Sequence, residues 1–318
     1  MIMNIGAVIP CYKGGEKTLE IALRSLNYCS EVVIVDDNCP FKTGDLIRKS
    51  KKTNQKITIL TNHKNRGVGF STVRGFKYFL NKKFDVIVKL DADGQMNPDL
   101  IPQLIQPIID KKADAVKGNR FTTLDHMIAM PKIRLFGNLM LTFLNKLSTG
   151  YWELSDPTNG FLAFRGFDLG KIRLEKLDNR YFFESDLLFQ CSLLGLFFEQ
   201  LPMKSVYSNE ISSLKPLKQI LIFSKKHILN FSKRVIYQYF VLDFNAGSLE
   251  IITFFITSLS ALITFTKFYL RGLNSQEFSS PGEANLISIL IIISVQILLG
   301  ILYFDSTHQP LMRQLKRR

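Results

Sequence analysis

The stretch Phe84-Asp85-Val86-Ile87-Val88-Lys89-Leu90-Asp91-Ala92-Asp93-Gly94-Gln95 decides how the N-terminal part of this chain is interpreted. Residues 84–90 are mostly apolar and β-branched, which predicts a buried strand. The two-residue period of extended chain then places Asp91, Asp93 and Gln95 on one face, with the residue between the aspartates turned away. Two carboxylates and an amide oxygen suit a hard divalent cation that keeps open positions for diphosphate oxygens. The sequence therefore predicts a metal site at one edge of a sheet.

Strand-like and helix-like runs alternate around that stretch, over residues 1 to about 215. Short runs rich in Val and Ile predict strands, and the runs between them have helical spacing or helix-start signals. This alternation predicts an α/β fold with a mostly parallel sheet and helices on both faces, in which ligands collect at the carboxyl ends of the strands. The predicted strands are Asn4–Pro10, Glu31–Asp36, Lys56–Thr61, Phe84–Leu90, Ala113–Lys117, Gly160–Phe164 and Phe198–Val206. The predicted helices are Glu16–Asn27, Phe41–Ser50, Val68–Asn81, Pro98–Asp110 and Phe183–Leu194.

Two C-terminal segments are long and apolar enough to cross a bilayer. Leu249–Leu270 has no charge between Glu250 and Lys267, and Leu286–Phe304 has none at all. Basic residues precede the first segment and follow the second, so the positive-inside rule places both chain ends in the cytoplasm. The sequence thus predicts a transmembrane hairpin over 249–304 (spans 249–270 and 286–304) and a basic cytoplasmic tail over 305–318. A buried helical hairpin is the alternative.

Residues 216–245 connect the predicted domain to the hairpin and are interpreted as interfacial helices. Within Pro216–Phe240 apolar side chains recur at helical intervals, with lysines on other faces. This pattern is typical of a helix lying in a membrane interface. An amphipathic helix docked on its own domain is the alternative. The apolar stretch Met130–Leu147 is interrupted by charges, which predicts a surface or membrane-leaning helix.

The composition narrows the classes of protein to which the chain can belong. Of the 318 residues 46% are hydrophobic, and the formal net charge is +14. An excess of Lys and Arg suits nucleic acid, anionic lipid or phosphorylated substrates. Much of it lies beside the hydrophobic C-terminal third and no recognition motif is present, so nucleic-acid binding is not expected. The four cysteines lack metal-ligand spacing, which predicts reduced thiols. Met1–Pro10 has no basic leader, so the N-terminal part is expected to stay in the cytoplasm.

Six motifs, in this order, resemble those of family 2 glycosyltransferases of the GT-A fold. They are Val8–Tyr12, Val35–Pro40, Asn65–Gly67, Asp91–Gln95, Gly118–Phe121 and Asp156–Phe161. Within that family the chain is most similar to the membrane-anchored polyprenyl-phosphate glycosyltransferases of dolichyl-phosphate mannose synthase type. The resemblance implies a GT-A catalytic domain over 1–215. It also implies an inverting, metal-dependent transfer of one sugar from a nucleotide-sugar donor to undecaprenyl or dolichyl phosphate at the cytoplasmic face of the cell membrane.

The resemblance also assigns roles to individual residues. Mg²⁺ or Mn²⁺ would be held against the donor diphosphate by Asp91, Asp93 and Gln95. The donor would be bound by Pro10, Tyr12, Asp36, Asp37, Asp91 and Lys215. The catalytic set would be Arg120 and Arg134, which face phosphates, Asp156, which positions the acceptor or acts as a base, and Glu184 and Asp186. Ordinary alternatives are helix caps for the aspartates of the second motif and solvated surface positions for the two arginines.

Other functions are weighed against this one. Transfer to a hydroxyl of a lipid-linked glycan requires a base, for which Asp156 and Asp186 are the candidates. A processive polysaccharide synthase has more spans and a Gln-x-x-Arg-Trp element, whereas the single tryptophan here, Trp152, follows Gly150-Tyr151. A catalytically silent membrane protein that binds a nucleotide-sugar is disfavoured because the acidic cluster is intact. Homo-oligomer formation is left open.

Overall fold

The computed structural model describes residues 3–50, 55–121, 132–204, 216–275 and 280–308. The chain forms two compact units, residues 1–232 and 233–318. The strands of the first unit are β1 Ile5–Cys11, β2 Glu31–Asp36, β3 Ile57–Thr61, β4 Val86–Lys89, β5 Ala115–Asn119, β6 Leu162–Arg165 and β7 Phe198–Pro202. Its helices are α1 Gly15–Ser25, α2 Thr43–Lys49, α3 Val68–Asn81, α4 Ile101–Ile109, α5 Lys132–Thr149, the single turn α6 Gly166–Leu169, and α7 Phe183–Leu193. Helix α8, Pro216–Ile236, begins in the first unit and ends in the second.

The seven strands form one sheet in the order β3-β2-β1-β4-β6-β5-β7. Only β6 runs antiparallel to its neighbours, β4 and β5, and the other pairings are parallel. Both faces of the sheet are apolar and covered, since Ala7 and Ile9 of β1 face the cluster formed with α1 and α4, and Val8 faces the cluster formed with α3 and α7. Continuous apolar strands are expected where helices cover both faces. The predicted fold is confirmed.

Element ends differ from the predictions by a few residues. Helix α3 and strand β2 have the predicted bounds. Strand β7 ends at Pro202, and the predicted end Val206 lies outside the described residues. All four cysteines are buried, and each is a free thiol, which agrees with the prediction of reduced thiols. The first unit extends to residue 232 and so includes most of α8.

The second unit is built on two long helices, α9 Ala246–Ser275 and α10 Pro281–Thr307. In the described part of the chain these are the helices long and apolar enough to cross a membrane, with mean hydropathies of 1.8 and 2.7. Their contact includes a 3.0 Å hydrogen bond between the hydroxyls of Ser294 and Thr257. Near one end of the two helices, the Arg234 guanidinium donates two hydrogen bonds to the Asp305 carboxylate, of 2.7 and 2.9 Å.

Candidate active site

A turn directly after β4 carries the three predicted metal ligands. The strand ends at Lys89, residues 92–93 form a turn, and Gly94 has a φ of +78°, which favours glycine. The predicted extended period through residue 95 is therefore wrong. In the turn the Gln95 N–H donates to Asp93 Oδ1 at 2.9 Å. Asp91, Asp93 and Gln95 are nevertheless partly exposed while Ala92 is buried, so the oxygen-bearing side chains lie on the outer side of the turn.

Two buried lysines lie beneath this turn, and the sequence interpretation missed both. Lys89 in β4 and Lys117 in β5 each pair in register with Leu162 of β6, so their side chains project from the same face of the sheet. Lys89 Nζ lies 2.8 Å from Asp91 Oδ1 and 3.1 Å from Glu184 Oε1 of α7. Lys117 Nζ donates to the carbonyl of Asn159. A lysine next to buried apolar residues near the end of a predicted strand was the signal that could have revealed each of them.

The two lysines respond differently to burial. Burial lowers the pKa of Lys89, but the carboxylates of Asp91 and Glu184 outweigh it and hold the pKa above its usual value. Burial lowers the pKa of Lys117 to about 8, because the opposing pull of Glu184 and Asp156 offsets it only in part. Lys89 is therefore a fixed cation beneath the turn, and Lys117 titrates near physiological pH.

Gly160 gives the Lys89–Asp91 pair the room it needs. A Cβ at residue 160 would lie 2.2 Å from Asp91 Oδ2 and 2.5 Å from Lys89 Nζ, closer than atoms approach without displacement. The glycine therefore leaves room for the Asp91 carboxylate to meet the Lys89 ammonium. We call this close approach the cradle at Gly160, and any larger residue there would displace one of the two groups.

The donor set of the turn fits a hard divalent cation in its chemistry. It offers carboxylate and amide oxygens from Asp91, Asp93 and Gln95, the ligand type that Mg²⁺ and Mn²⁺ prefer. Oδ2 of Asp91 faces the cradle at Gly160, while Oδ1 is held by Lys89. Among the described residues no group of three or more His, Cys, Asp and Glu side chains is placed to hold a metal. With two carboxylates and one amide as ligands, the remaining positions of a bound cation would be left to water and phosphate oxygens.

Arg120 and Asp156 form a forked pair at the carboxyl end of β5. Arg120 Nε and Nη2 donate to the two carboxylate oxygens of Asp156 at 2.7 and 2.9 Å, and the Arg120 N–H adds a third bond at 3.1 Å. Asp156 is fully buried, whereas the arginine keeps an exposed edge. The carboxylate thus fixes the guanidinium, a geometry that suits a phosphate-facing arginine better than a general base.

Asp36 and Asp37 bind backbone rather than open solvent. Asp36 accepts the N–H groups of Cys39 and Gly44, both at 2.7 Å, and so caps the start of α2. Asp37 accepts the N–H of Gly67 at 2.7 Å and thereby shapes the loop that leads into α3. Both carboxylates are buried, and their contact with a donor stays a prediction.

Tyr12 and Pro10 lie where β1 ends. Pro10 is buried in β1 beside Val35 of β2, and the Tyr12 ring is exposed. Lys13 Nζ lies 5.6 Å from the centre of that ring. The exposed ring can stack on the nucleobase of a donor, and the lysine beside it can attract the donor's phosphates. The predicted role of Tyr12 is therefore compatible with its position.

The remaining predicted residues are not all brought to the turn. Asp186 accepts the N–H of Asp178 at 3.0 Å and the amide of Asn230 at 2.8 Å, which attaches α8 to the first unit. Burial raises the pKa of Asp186. Arg134 lies in the first turn of α5, with its side chain outside the described part of the structure, and Lys215 lies outside the described residues.

Comparison with known proteins gives concordant matches. The family model described as "Glycosyl transferase family 2" matches residues 7–173. The undecaprenyl-phosphate mannosyltransferase of Micrococcus luteus is 28% identical over 64% of this chain and 84% of its own length. The UDP-N-acetylglucosamine–dolichyl-phosphate N-acetylglucosaminyltransferase of Methanococcus voltae is 29% identical over 63% of this chain and 85% of its own length.

A solved structure supports the fold. Glucosyl-3-phosphoglycerate synthase from Mycobacterium tuberculosis, in complex with Mn²⁺, UDP and glucosyl-3-phosphoglycerate, has a TM-score of 0.52 and 16% identity. The match covers 73% of this chain and 80% of that one. At this identity the likeness concerns the fold alone.

Proposed function

Because the chain belongs to glycosyltransferase family 2, we propose that it moves one sugar from a nucleotide-sugar donor to a polyprenyl phosphate at the cytoplasmic face of the cell membrane. The relatives described above support this acceptor, since their names specify undecaprenyl and dolichyl phosphates. The observation that carries the proposal is the acidic turn at Asp91–Gln95 directly above the buried cation Lys89. Such a pairing of anionic ligands and fixed positive charge suits a diphosphate leaving group.

The chain's own residues would share the work of binding and charge stabilisation. Asp91, Asp93 and Gln95 would hold Mg²⁺ or Mn²⁺, which when bound neutralises charge on the leaving diphosphate. Arg120, fixed by Asp156, would present its exposed edge to a phosphate group. The acceptor oxygen attacks the anomeric carbon from the side opposite the diphosphate, so the new C–O bond forms as the old one breaks and the configuration inverts.

Both candidate bases already accept hydrogen bonds from other protein groups, which favours a phosphate acceptor over a sugar hydroxyl. Asp156 is occupied by the Arg120 fork, and Asp186 by Asp178 and Asn230. A hydroxyl acceptor must lose a proton to a base, whereas a lipid phosphate is already ionised near neutral pH. Positioning and electrostatics then suffice for the transfer.

Two helices of the first unit support a membrane location, because they expose apolar side chains and bury polar ones. Helix α5 exposes Leu139, Met140 and Phe143, and α8 exposes Ile228 and Leu229. Their buried contacts include polar ones: Asn145 donates to Ser185 at 2.7 Å, and the Ser148 hydroxyl lies 2.8 Å from His227 Nδ1. Surface helices of soluble proteins have the opposite arrangement. Helix α8 is therefore docked on its own unit and still presents an apolar face that suits a lipid interface.

Transfer can be measured in membranes that contain the full-length protein. The membranes are incubated with undecaprenyl phosphate and a panel of radiolabelled nucleotide-sugars. We expect organic-extractable label from one donor, lost with EDTA and restored by Mg²⁺ or Mn²⁺. Asp91→Asn should abolish the label. The matched control Asp99→Asn, which changes a solvent-exposed ion pair with Arg24, should retain it. Transfer that is unaffected by EDTA, or label that enters only a glycan hydroxyl, would contradict the proposal.

A further inference from the structure

Gln296 is a polar residue in the middle of an apolar helix. It lies on α10, one residue past the centre of the charge-free run 286–304. Its side chain is exposed, and within the described part of the chain it makes no hydrogen bond. Two serines of the same helix differ: Ser288 donates to its own helix at Ala284, and Ser294 donates to Thr257 of α9. The Gln296 amide thus faces outward without a partner.

The residues that share its face form a continuous stripe along α10. We name this the Gln296 stripe; its other members are Ile289, Ile292, Leu299 and Tyr303, which are 53, 57, 61 and 72% exposed. The steps along it alternate between three and four residues, the spacing of a helix–helix seam. Ser294, which faces α9, is offset from Gln296 by two residues, about 200° around a helix. The stripe therefore lies on the side of α10 that α9 does not cover.

We propose that α10 packs in parallel against α10 of a second copy of this chain, with the two Gln296 side chains hydrogen-bonded across the seam. This inference rests on the proposed membrane location and on the predicted transmembrane hairpin. An unpaired carboxamide in hydrocarbon is costly, and lipid tails offer it no partner. A second copy inserted in the same orientation places an identical group at the same depth. Because a carboxamide both donates and accepts, two copies satisfy each other.

Disulfide cross-linking in native membranes tests the geometry. Ile292→Cys places a thiol on the Gln296 stripe, and the control Ile291→Cys places one at nearly the same depth on an off-stripe surface that is 50% exposed. The four native cysteines are all buried in the first unit. We expect a cross-linked homodimer with Ile292→Cys and little with Ile291→Cys. Resistance of both proteins to carbonate extraction tests membrane insertion separately.

Substitution of Gln296 tests whether its side chain stabilises the contact between the two copies of α10. In the Ile292→Cys background Gln296→Leu should weaken self-association about three- to thirtyfold, as expected for a lost interhelical hydrogen bond, and Gln296→Asn should retain most of it. The sugar-transfer activity of Gln296→Leu should remain. Equal cross-linking at residues 291 and 292, a Gln296→Leu variant that dimerises as well as the parent, or a cross-linked product with the mass of a different protein would each overturn the proposal.

Discussion

Lys89 should support the first unit through charge rather than through packing. Its side chain is wholly buried, and its ammonium is shared between Asp91 and Glu184, whose side chains are 29% and 13% exposed. Lys89→Met keeps the approximate volume but leaves two carboxylates facing each other without their cation. Removing one partner from a buried ion pair costs about 3–5 kcal/mol. Because both carboxylates retain some contact with water, we expect the low end, about 3 kcal/mol.

Thermal unfolding of the full-length protein in detergent measures this effect. For a unit of this size about 3 kcal/mol corresponds to a fall in Tm of roughly 6–12 °C. Adding Glu184→Gln to Lys89→Met removes the more buried of the two carboxylates that lost their cation. The double variant should therefore regain about 1–2 kcal/mol of the free energy of unfolding. Glu184→Gln alone should destabilise the protein, since Lys89 and Lys117 both lose a neighbouring anion.

A matched control separates burial from the mere loss of a lysine. Lys112 pairs with Asp110 at 3.6 Å on the surface, where its side chain is 68% exposed. Lys112→Met should change the free energy of unfolding by less than about 1 kcal/mol. If Lys89→Met lowers the free energy of unfolding no more than Lys112→Met does, or if the effects of Glu184→Gln and Lys89→Met simply add, the buried charge of Lys89 does not have this role.

Three further predictions concern the turn, the fork and the docked helix. Gly160→Ala should abolish sugar transfer with little change in circular dichroism, because its methyl group would displace Asp91; full activity would contradict the cradle. Arg120→Lys, which cannot reproduce the two-pronged bond to Asp156, should lower the transfer rate about 100-fold; a rate near that of the parent would argue against the fork. Burial lowers the pKa of His227 to about 4 from 6.5, so only the unfolded chain gains a proton between these values, and stability should fall by about 3 kcal/mol as the pH drops through that window. His227→Gln should flatten this dependence of Tm on pH, and an unchanged slope would exclude His227 as its source.

The local pattern of apolar and polar residues was enough to predict the fold, because strands and helices are indicated by residues that lie close together in the chain. Periodicity of apolar residues reports which stretches are strands and which are helices, and alternation of the two reports a parallel sheet. The order of the motifs indicated the family that the family model then confirmed. The turn at residues 92–93 was not predicted, although Gly94 directly after Asp93 offered a turn signal.

The sequence by itself determined the elements, the family and the apolar hairpin helices, since each depends on neighbours within a few residues. The tertiary structure decided which charges meet. Lys89 and Glu184 lie 95 residues apart in the chain, and only the packing of α7 against the sheet brings them into contact. The outward position of Gln296 likewise depends on which side of α10 is covered by α9. Partners of this kind are set by packing between distant segments, and no local periodicity records them.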